Sequence, residues 1–445
     1  MSGRVVVVGG GPAGLLAGLA ASRHGARVRV LARGWGVFHW HAGCVDVLGY
    51  QQGDGTPVAS PRQAVAALVA ATPDHPYALV GTDGVAEVLT ELSRLCAAAG
   101  YPLVGSFDSN QLMPTAVGGA RPTCLAPATM TAGELGRGDA ALIVGFDRFP
   151  DLAPGLVAAN LEQRGIPSRP VTLDLAALRR RRFVTGPVLA ALFETEEFRA
   201  EVAAALGPKV GRAGRIGFPA VLGLDRASEV VADLRHRLGA EVFEIPVVPP
   251  SIPGLRLHRI LTAAIRTAGG RVSDGMAAVG AETTGHETSG TTTSGDDGHG
   301  QRVTAVLTEA AARTRRNAAD AFVLATGGIL GGGIVGEEDG RLTEVVFGLP
   351  VSGPHQRDDW LRADFADPAG HPVYRSGLVV DAELRPIGGD GAAVYGNLHA
   401  AGGAIAGADA IRERSVDGIA LATGHRAGVL AARSALDRSE GAAAS

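Results

Sequence analysis

The sequence predicts an α/β protein built on a Rossmann-like domain, and three segments that lie far apart in the chain support this prediction. The first begins with Val5–Val8, four β-branched apolar residues of the kind found in a strand buried on both faces. Three spaced glycines follow, and then a helix-forming run from Leu15 to His24. The other two segments are apolar strands that also run into glycine turns.

The glycine turn after the first strand predicts a phosphate-binding site. Gly9 permits the tight turn, Gly11 lets the backbone approach a pyrophosphate, and Gly14 lets the helix lie close to the strand. The N-terminus of the helix then faces the phosphate charge. A strand-to-helix turn without a ligand is the weaker interpretation, because strand, glycine turn and helix follow one another at the very N-terminus.

The second strand, Arg27–Leu31, lacks the acidic residue that normally ends it. An Asp or Glu there holds the ribose hydroxyls of a dinucleotide, whereas this chain has Ala32 and Arg33. Three explanations stay open: the ligand has no adenosine ribose, the ribose is held differently, or Arg33 meets a phosphate.

Composition limits the class of protein. A chain of 445 residues, 46% of them hydrophobic, is long enough for two domains, or one with a large insertion, around a sizeable core. A net charge of −4 argues against a nucleic-acid-binding protein. The pattern predicts neither a signal peptide nor a transmembrane helix, so we expect a cytoplasmic protein that is soluble or peripheral.

Cysteine and histidine content argues against a metal centre. The chain has three cysteines, too few for an iron–sulfur cluster, so any such cluster belongs to a partner. His39, His41 and Cys44 lie close together in sequence but lack a fourth ligand at a suitable spacing, so we predict no metal site. Either histidine remains a candidate for proton transfer.

The second and third segments indicate a flavoprotein. Asp320–Leu324 is a strand that ends in Ala325-Thr326-Gly327, where small residues give clearance to a flavin cofactor. Asn397–His399 is a strand that runs into Gly402-Gly403, and Ser415 opens a helix. The N-terminus of that helix, aimed at the isoalloxazine, would stabilise negative charge on reduced flavin.

These motifs together resemble the B-subunit family of the anaerobic glycerol-3-phosphate dehydrogenases, along the chain from Val5 to about Ala432. The distinctive positions are Arg33-Gly34, Gly43-x-x-Asp46-x-Leu48, Pro249 to Leu257, Leu324 to Gly327 with Gly332-Gly333, Asn397-Leu398, Gly402 and Gly407-x-Asp409. The chain departs from the family pattern at His39-Trp40-His41 and Cys44, where relatives carry smaller polar residues.

The resemblance implies a flavin cofactor, usually FMN in this family, with FAD the alternative. FMN has no adenosine ribose, which fits the missing acidic residue; with FAD, Arg33 would hold the adenylate side. It also implies two partners, a larger A subunit that carries FAD and a C subunit that carries iron–sulfur clusters. That complex oxidises sn-glycerol 3-phosphate to dihydroxyacetone phosphate and passes electrons towards quinone, and this chain would lie at the inner face of the cell membrane through its partners.

The predicted site combines the glycine turns with a base. We predict His399 as the base, followed by His39 and His41, and we consider Arg412 and Arg414 for a substrate phosphate. The residues predicted to bind the cofactor are Gly9, Gly11, Pro12, Ala13, Gly14, Arg33, Gly34, Thr326, Gly327, Gly402, Gly403, Asp409 and Gly418.

The predicted domains are discontinuous. Residues 1–50, 255–340 and 391–434 form the flavin-binding domain, and residues 51–254 form an inserted α/β domain for substrate or partner. Residues 341–390 connect these parts and pack at the site, 283–300 form a mobile loop, and 435–445 form a disordered tail. Two other functions stay open: a non-catalytic protein for electron transfer or assembly within the complex, and a stand-alone flavin oxidoreductase for another small acid.

Overall fold

The computed structural model describes residues 3–53, 55–284, 301–310 and 313–444. Its strands are β1 (Arg4–Val8), β2 (Arg27–Ala32), β3 (Leu103–Gly105), β4 (Gln111–Pro114), β5 (Ala120–Thr123), β6 (Leu125–Pro127), β7 (Ala141–Phe146), β8 (Ser168–Leu173), β9 (Arg215–Pro219), β10 (Glu241–Ile245), β11 (Arg271–Asp274), β12 (Ala277–Thr283), β13 (Val303–Ala310), β14 (Arg313–Ala318), β15 (Ala321–Leu324), β16 (Ile334–Gly336), β17 (Leu342–Glu344) and β18 (Leu398–Ala400). Its helices are α1 (Pro12–Arg23), α2 (Pro61–Ala71), α3 (Gly81–Ala98), α4 (Pro154–Gln163), α5 (Gly186–Phe193), α6 (Glu196–Val210), α7 (Ala227–Leu238), α8 (Ile252–Thr267), α9 (Gly328–Gly331), α10 (Ala410–Glu413) and α11 (Val416–Ala444).

The first sheet is assembled from four distant parts of the chain. Its five strands lie in the order β11-β2-β1-β15-β18, and every neighbouring pair is parallel. Val5–Val8 is buried, as its β-branched composition predicts. A parallel sheet with helical crossovers is the Rossmann-like α/β architecture, so the predicted fold class is confirmed.

Helices α1 and α11 cross very closely on this sheet, and glycine makes this possible. A Cβ at Gly424 would lie 2.4 Å from the Ala13 carbonyl oxygen, and one at Gly428 would lie 2.2 Å from that of Ala17. The two helices therefore run in the same direction. Both N-termini point to the edge of the sheet where the strands end, which is the edge where ligands bind in this architecture.

A second parallel sheet has a core of its own. Its four strands lie in the order β10-β9-β7-β8, with helices α4 to α7 interspersed in sequence. Helices α2 and α3, which the prediction includes in the inserted 51–254 segment, instead bury side chains such as Val65 and Leu92 in the core of the first sheet. Strands β12, β13 and β14 form an antiparallel sheet. The predicted domain ranges stay a prediction.

Most predicted elements agree with the structure to within a few residues. Helices α5 and α6 follow each other almost directly but stay separate, because Thr195 starts α6 by accepting the Phe198 N–H. Residues 435–444 of the predicted disordered tail are the end of α11, and Ala435 at their start is fully buried. Nearly all of the predicted loop, 283–300, lies outside the described residues.

The connecting segment 341–390 packs along the chain that leads into α11. Leu378 N–H donates to the Ala404 carbonyl oxygen at 2.8 Å, and Gly407 N–H donates to that of Arg375 at 3.0 Å. Within the described part of the chain, no helix combines the length and the apolarity needed to cross a bilayer.

Candidate functional site

The three glycines of the first turn have different surroundings. Gly9 has φ +126°, and a Cβ there would lie 2.1 Å from the Ala325 carbonyl oxygen. A Cβ at Gly14 would lie 2.0 Å from the Gly9 carbonyl oxygen, whereas one at Gly11 would meet no atom within 4 Å. Gly9 and Gly14 therefore allow close backbone packing, and Gly11 borders open space.

The first turn of α1 brings no negative charge of its own. Gly11 caps the helix without a side-chain hydrogen bond, Pro12 occupies the first turn, and that turn contains no acidic residue. The residues after β2 lie against the same turn, since a Cβ at Gly36 would lie 3.1 Å from Gly11 Cα. Arg33 is exposed, and Gly34 lies close to Gly10. An open glycine at an uncapped helix N-terminus fits the phosphate of a nucleotide cofactor.

The second and third glycine turns meet at the same edge of the sheet. A Cβ at Gly328 would lie 2.0 Å from the Gly403 carbonyl oxygen, and one at Gly402, which has φ +68°, would lie 2.8 Å from Ala13 Cβ. Thr326 Oγ1 is buried and has no hydrogen-bond partner among the described residues. A buried hydroxyl without a partner costs free energy, so this group also fits a bound cofactor.

His41 and Asp417 form a buried pair at the start of α11. His41 Nδ1 accepts the Gly43 N–H at 3.0 Å, so the ring hydrogen lies on Nε2, which donates to Asp417 Oδ1 at 2.9 Å. Burial alone would raise the pKa of Asp417, but its interactions with His41 and with Arg121 hold it below its usual value. A small cavity touches this pair and also Pro12, the first residue of α1.

Next to this pair lies a group of charges that we call the Asp46 cluster: Asp46, Arg121 and Arg414. Arg121 Nε donates to Asp46 Oδ2 at 2.9 Å, Arg121 Nη2 lies 2.6 Å from the same oxygen, and Arg414 Nη1 lies 3.7 Å from it. Asp46 Oδ1 is buried without a partner among the described residues. The backbone of Asp46 joins the two groups, because its N–H donates to Asp417 Oδ2 at 3.1 Å.

The start of α11 is held by a second histidine–carboxylate pair. His75 Nδ1 accepts the Tyr77 N–H, and its Nε2 donates to Glu413 Oε2 at 3.1 Å. Burial would raise the pKa of Glu413, but the hydrogen bonds from His75 and two further side chains lower it. Burial and the Glu413 charge raise the pKa of Asp409, which was predicted to bind the cofactor and has one oxygen without a partner among the described residues.

The N-terminus of α11, which was predicted to face the flavin, is partly engaged by other groups of the protein. Gly418 N–H donates to the Asp46 carbonyl oxygen at 2.9 Å, and Asp417 brings a negative charge into the first turn. The turn is therefore less available to an anionic group than the first turn of α1. A role for Gly418 in cofactor binding stays a prediction.

The predicted bases lie in three environments. His399 Nδ1 donates to the Glu383 carbonyl oxygen at 2.7 Å, its Nε2 has no partner among the described residues, and burial lowers its pKa. Its hydrogen bond is thus to a turn beside the edge strand β18 and not to a glycine turn. His39 is exposed, and His41 lines the small cavity beside Pro12 of α1. Their roles stay predictions.

Two other residues considered for chemistry are engaged elsewhere. Cys44 is fully buried, which raises the pKa of its thiol to about 12, and its sulfur lies 3.9 Å from that of Met130. Arg412 donates from Nη1 to the Asp367 carbonyl oxygen. Arg121, not Arg412, lies beside Arg414, and no local pattern identified it, because it comes from β5, far earlier in the chain.

Comparisons with known proteins identify the family of the chain. A family model described as "FAD binding domain" matches residues 4–415. The probable anaerobic glycerol-3-phosphate dehydrogenase B subunit of Halobacterium salinarum is 35% identical, with 97% of this chain and 98% of the relative covered. The corresponding B subunit of Pectobacterium carotovorum subsp. carotovorum is 33% identical, with 94% and 95% covered.

Similarity to solved structures is more distant. A crystal structure of 3-ketosteroid delta1-dehydrogenase from Sterolibacterium denitrificans is 13% identical with a TM-score of 0.43, covering 97% of this chain and 100% of that one. The strand order of the first sheet therefore remains the basis of the fold assignment.

The prediction of a flavin cofactor is confirmed by the family model, and the preference for FMN finds no support in a model that describes an FAD-binding domain. The resemblance seen in the sequence motifs is likewise confirmed along nearly the whole chain. The chain is a flavoprotein of the oxidoreductase class, and it belongs to the B-subunit family of the anaerobic glycerol-3-phosphate dehydrogenases, within the wider family of FAD-binding domains.

Proposed function

We propose that this chain is the flavin-carrying part of a multi-subunit dehydrogenase that oxidises sn-glycerol 3-phosphate to dihydroxyacetone phosphate. The observation that carries the proposal is 35% identity to the Halobacterium salinarum relative along 97% of this chain. The geometry supports it, because three glycine turns, an uncapped helix N-terminus and a buried histidine–carboxylate pair meet at one edge of the first sheet.

We propose FAD as the cofactor, in place of the FMN that the missing acidic residue suggested. The open face of Gly11 and the first turn of α1 would hold its phosphates, and Thr326 Oγ1 would form a hydrogen bond to it. Exposed Arg33, at the end of β2, is suited to the adenylate side. When bound, the flavin supplies the acceptor for a hydride from the secondary alcohol carbon.

His41 and Asp417 are the groups we propose to handle the substrate proton. Asp417 fixes the hydrogen of His41 on Nε2 and would stabilise a positive charge on the ring. When the Gly43 N–H releases Nδ1, that nitrogen is free to take the hydroxyl proton. His399 and His39 remain the alternative bases.

The proposal includes partners, because the relatives are named as one subunit of a larger enzyme. We propose that the complex is completed by a larger FAD-carrying protein, the A subunit, with an iron–sulfur protein, the C subunit. These partners would accept the electrons, pass them towards quinone and hold this chain at the inner face of the cell membrane. The competing role for this chain is electron transfer or assembly, with substrate oxidation performed in the larger partner.

Anaerobic mixing of the purified flavin-loaded chain with glycerol 3-phosphate separates these roles. Direct bleaching of the flavin absorbance, slowed at least about tenfold in His41→Asn, supports the catalytic role. His236→Ala, on the exposed face of α7, is the control. Bleaching that requires addition of the larger FAD-carrying partner assigns the chain to electron transfer, and slowing only in His399→Ala moves the base to His399.

The cofactor proposal can be tested at Gly11, because a side chain added there would meet no atom of the protein itself. Gly11→Val should fold with unchanged unfolding midpoint but lose its flavin, because the new side chain fills the phosphate position. Gly155→Val is the matched control, an equally open glycine at the start of α4. Full flavin occupancy in Gly11→Val would contradict the site, and FMN in the mass spectrum of the released cofactor would contradict FAD.

A further inference from the structure

We propose that Arg121 and Arg414 form the binding site for the phosphate group of a small phosphate monoester, and that Asp46 positions their two guanidinium groups. This inference rests on the proposed function for the identity of the substrate, but the site itself follows from the arrangement of charges.

The two arginines share one carboxylate and leave much of their hydrogen-bonding capacity unused. A guanidinium group carries five N–H donors. Arg121 donates its Nε hydrogen to Asp46 Oδ2 and holds Nη2 2.6 Å from that oxygen, and among the described residues the side chain of Arg414 has only the long 3.7 Å approach to it. Asp46 and the neighbouring Asp417 balance the charges of the two arginines, so the unused N–H donors, and not an excess of positive charge, are what an anion would bind.

Both arginines are reachable from solvent, whereas the carboxylate is not. The side chains of Arg121 and Arg414 are 16% and 35% exposed, and that of Asp46 is 5% exposed. A ligand would therefore meet guanidinium groups first. Forked, permanently charged donors match the oxygens of a phosphate dianion.

The backbone brings the two arginines together at some conformational cost. Arg414 has φ +50°, a left-handed conformation that is strained for a residue with a side chain. A Cβ at Gly49 would lie 2.9 Å from Arg414 Cβ and 3.5 Å from the Pro122 carbonyl oxygen, so the absence of a side chain at Gly49 lets the β4–β5 hairpin approach Arg414. Arg414 is also the residue that ends α10, and its N–H donates to carbonyl oxygens of that helix, so the local backbone holds this conformation.

The position beside His41 and Asp417 indicates what the rest of the ligand carries. The Asp46 N–H binds Asp417 directly, so the arginines lie one residue away from the proposed proton-handling pair. Asp46 Oδ1, buried without a partner among the described residues, has lone pairs that accept a hydroxyl hydrogen. Guanidinium groups, a carboxylate acceptor and a base together fit a phosphorylated polyol, with phosphate at one end and hydroxyls at the other.

The test measures binding to the flavin-loaded protein by equilibrium dialysis, with inorganic phosphate, glycerol 3-phosphate and glycerol as probes. Arg414→Gly and Arg121→Met should each weaken binding of both phosphates by about tenfold or more, because each removes a charge-assisted contact. Arg121→Lys keeps the charge without the fork and should recover part of the loss. Arg433→Met, an exposed arginine on α11, should change nothing.

Two results would overturn the site: phosphate affinities in Arg414→Gly and Arg121→Met within about twofold of the parent protein, or loss of flavin from these variants with phosphate binding unchanged in the loaded fraction. The second result would assign the arginines to the cofactor phosphates. Arg121→Met removes the main positive charge beside the buried Asp46 carboxylate, so this variant is the one at risk of not folding. In that case the result for Arg414→Gly, which removes a left-handed side-chain residue, is used to judge the site.

Failure of the proposed function gives a different pattern. If the parent protein binds both phosphates through the arginines but glycerol 3-phosphate bleaches the flavin neither alone nor with the larger partner, the anion site stands and the dehydrogenase assignment falls. If glycerol 3-phosphate bleaches the flavin and KM is unchanged in both variants, the function stands and this anion site falls.

Discussion

Two charge clusters in this protein are each built around a buried carboxylate, and they differ in how completely its hydrogen bonds are satisfied. In the Glu244 cluster, Glu244 on β10 accepts two hydrogen bonds on each oxygen, from Arg256, Thr129 Oγ1 and the Leu222 N–H. Arg256 also donates to Tyr101 and to the Gly223 carbonyl oxygen, so all five of its N–H donors are used. In the Asp46 cluster, both arginines approach Oδ2 of Asp46, and Oδ1 has no hydrogen-bond partner among the described residues.

The difference separates a structural role from a binding role. The Glu244 cluster joins α8, which packs on the first sheet, to a strand of the second sheet, and it is nearly inaccessible to solvent. Its satisfied bonds leave no capacity for a ligand. The Asp46 cluster retains donors, an acceptor and partial exposure, the features that a binding site needs and that a purely structural cluster avoids.

Breaking the Glu244 cluster should have the largest effect on stability. Arg256→Met leaves the Glu244 carboxylate buried without its cation, which typically costs about 3–5 kcal/mol. Denaturant unfolding, followed by tryptophan fluorescence and circular dichroism, measures the change in the free energy of unfolding. Arg259→Met is the matched control on the same helix, because the Arg259–Asp225 pair is exposed and should contribute about 0–1 kcal/mol.

A loss in Arg256→Met no larger than that in Arg259→Met would remove the contrast between the clusters. The two probes also need to be compared. If fluorescence and circular dichroism give different midpoints in the variant, the two sheets unfold separately once the connection is broken.

The His41–Asp417 pair tests the comparison of the two clusters by its pH dependence. The Asp417 carboxylate titrates, and it is hydrogen-bonded to the backbone of Asp46. The pKa of Asp417 is held below its usual value by His41 and Arg121 against the effect of burial. Such a group stabilises the fold above its unfolded pKa, about 3.9, and this contribution is lost as pH falls through the lower folded value. At neutral pH Asp417→Asn should reduce the free energy of unfolding by about 1–3 kcal/mol, since the NH2 group of the new amide would face the Asp46 N–H, donor against donor.

The cost of Asp417→Asn should shrink as the pH is lowered below about 4, because the parent protein then loses the same charge. Unfolding free energies at pH 3 to 7 measure this, with Glu162→Gln, exposed on α4, as the control. A cost that stays constant across this range would mean that the carboxylate charge contributes nothing to the pair.

Local pattern was enough to predict the glycine turns. Each turn depends on neighbouring residues: Val5–Val8 makes a strand, Gly9 and Gly14 allow the turn and the close helix, and Gly327 follows the strand that ends at Leu324. Parallel strands end at a common edge, so three such turns in one sheet necessarily meet there. The fold and the location of the site were therefore predictable from short segments.

The charge clusters were not predictable in this way. Arg121 and Arg414 come together through a two-stranded hairpin that has no motif, and His75 meets Glu413 across 338 residues of sequence. Asp46 was visible within a family motif, but its partners were not. Residue identity alone favoured His399 over His39 and His41 as the base and offered Arg412 and Arg414 for a phosphate, whereas our proposals use His41 for the base and Arg121 with Arg414 for the phosphate because of their hydrogen bonds and ion pairs.

The smallest expected effect on stability comes from Arg414→Gly, and it gives the sharpest distinction between the clusters. Arg414 has φ +50°, and a left-handed conformation costs a residue with a side chain about 1–2 kcal/mol, which glycine avoids. Against this stand the flexibility of glycine in the unfolded chain, about 0.5–1 kcal/mol, and a loose pair with Asp46. These terms nearly cancel, so the free energy of unfolding should change by less than about 1 kcal/mol.

Denaturant unfolding and phosphate dialysis on the same preparation of Arg414→Gly check this prediction. Unchanged stability with weakened phosphate binding identifies Arg414 as a ligand contact, whereas a loss as large as that in Arg256→Met would make the Asp46 cluster structural, like the Glu244 cluster.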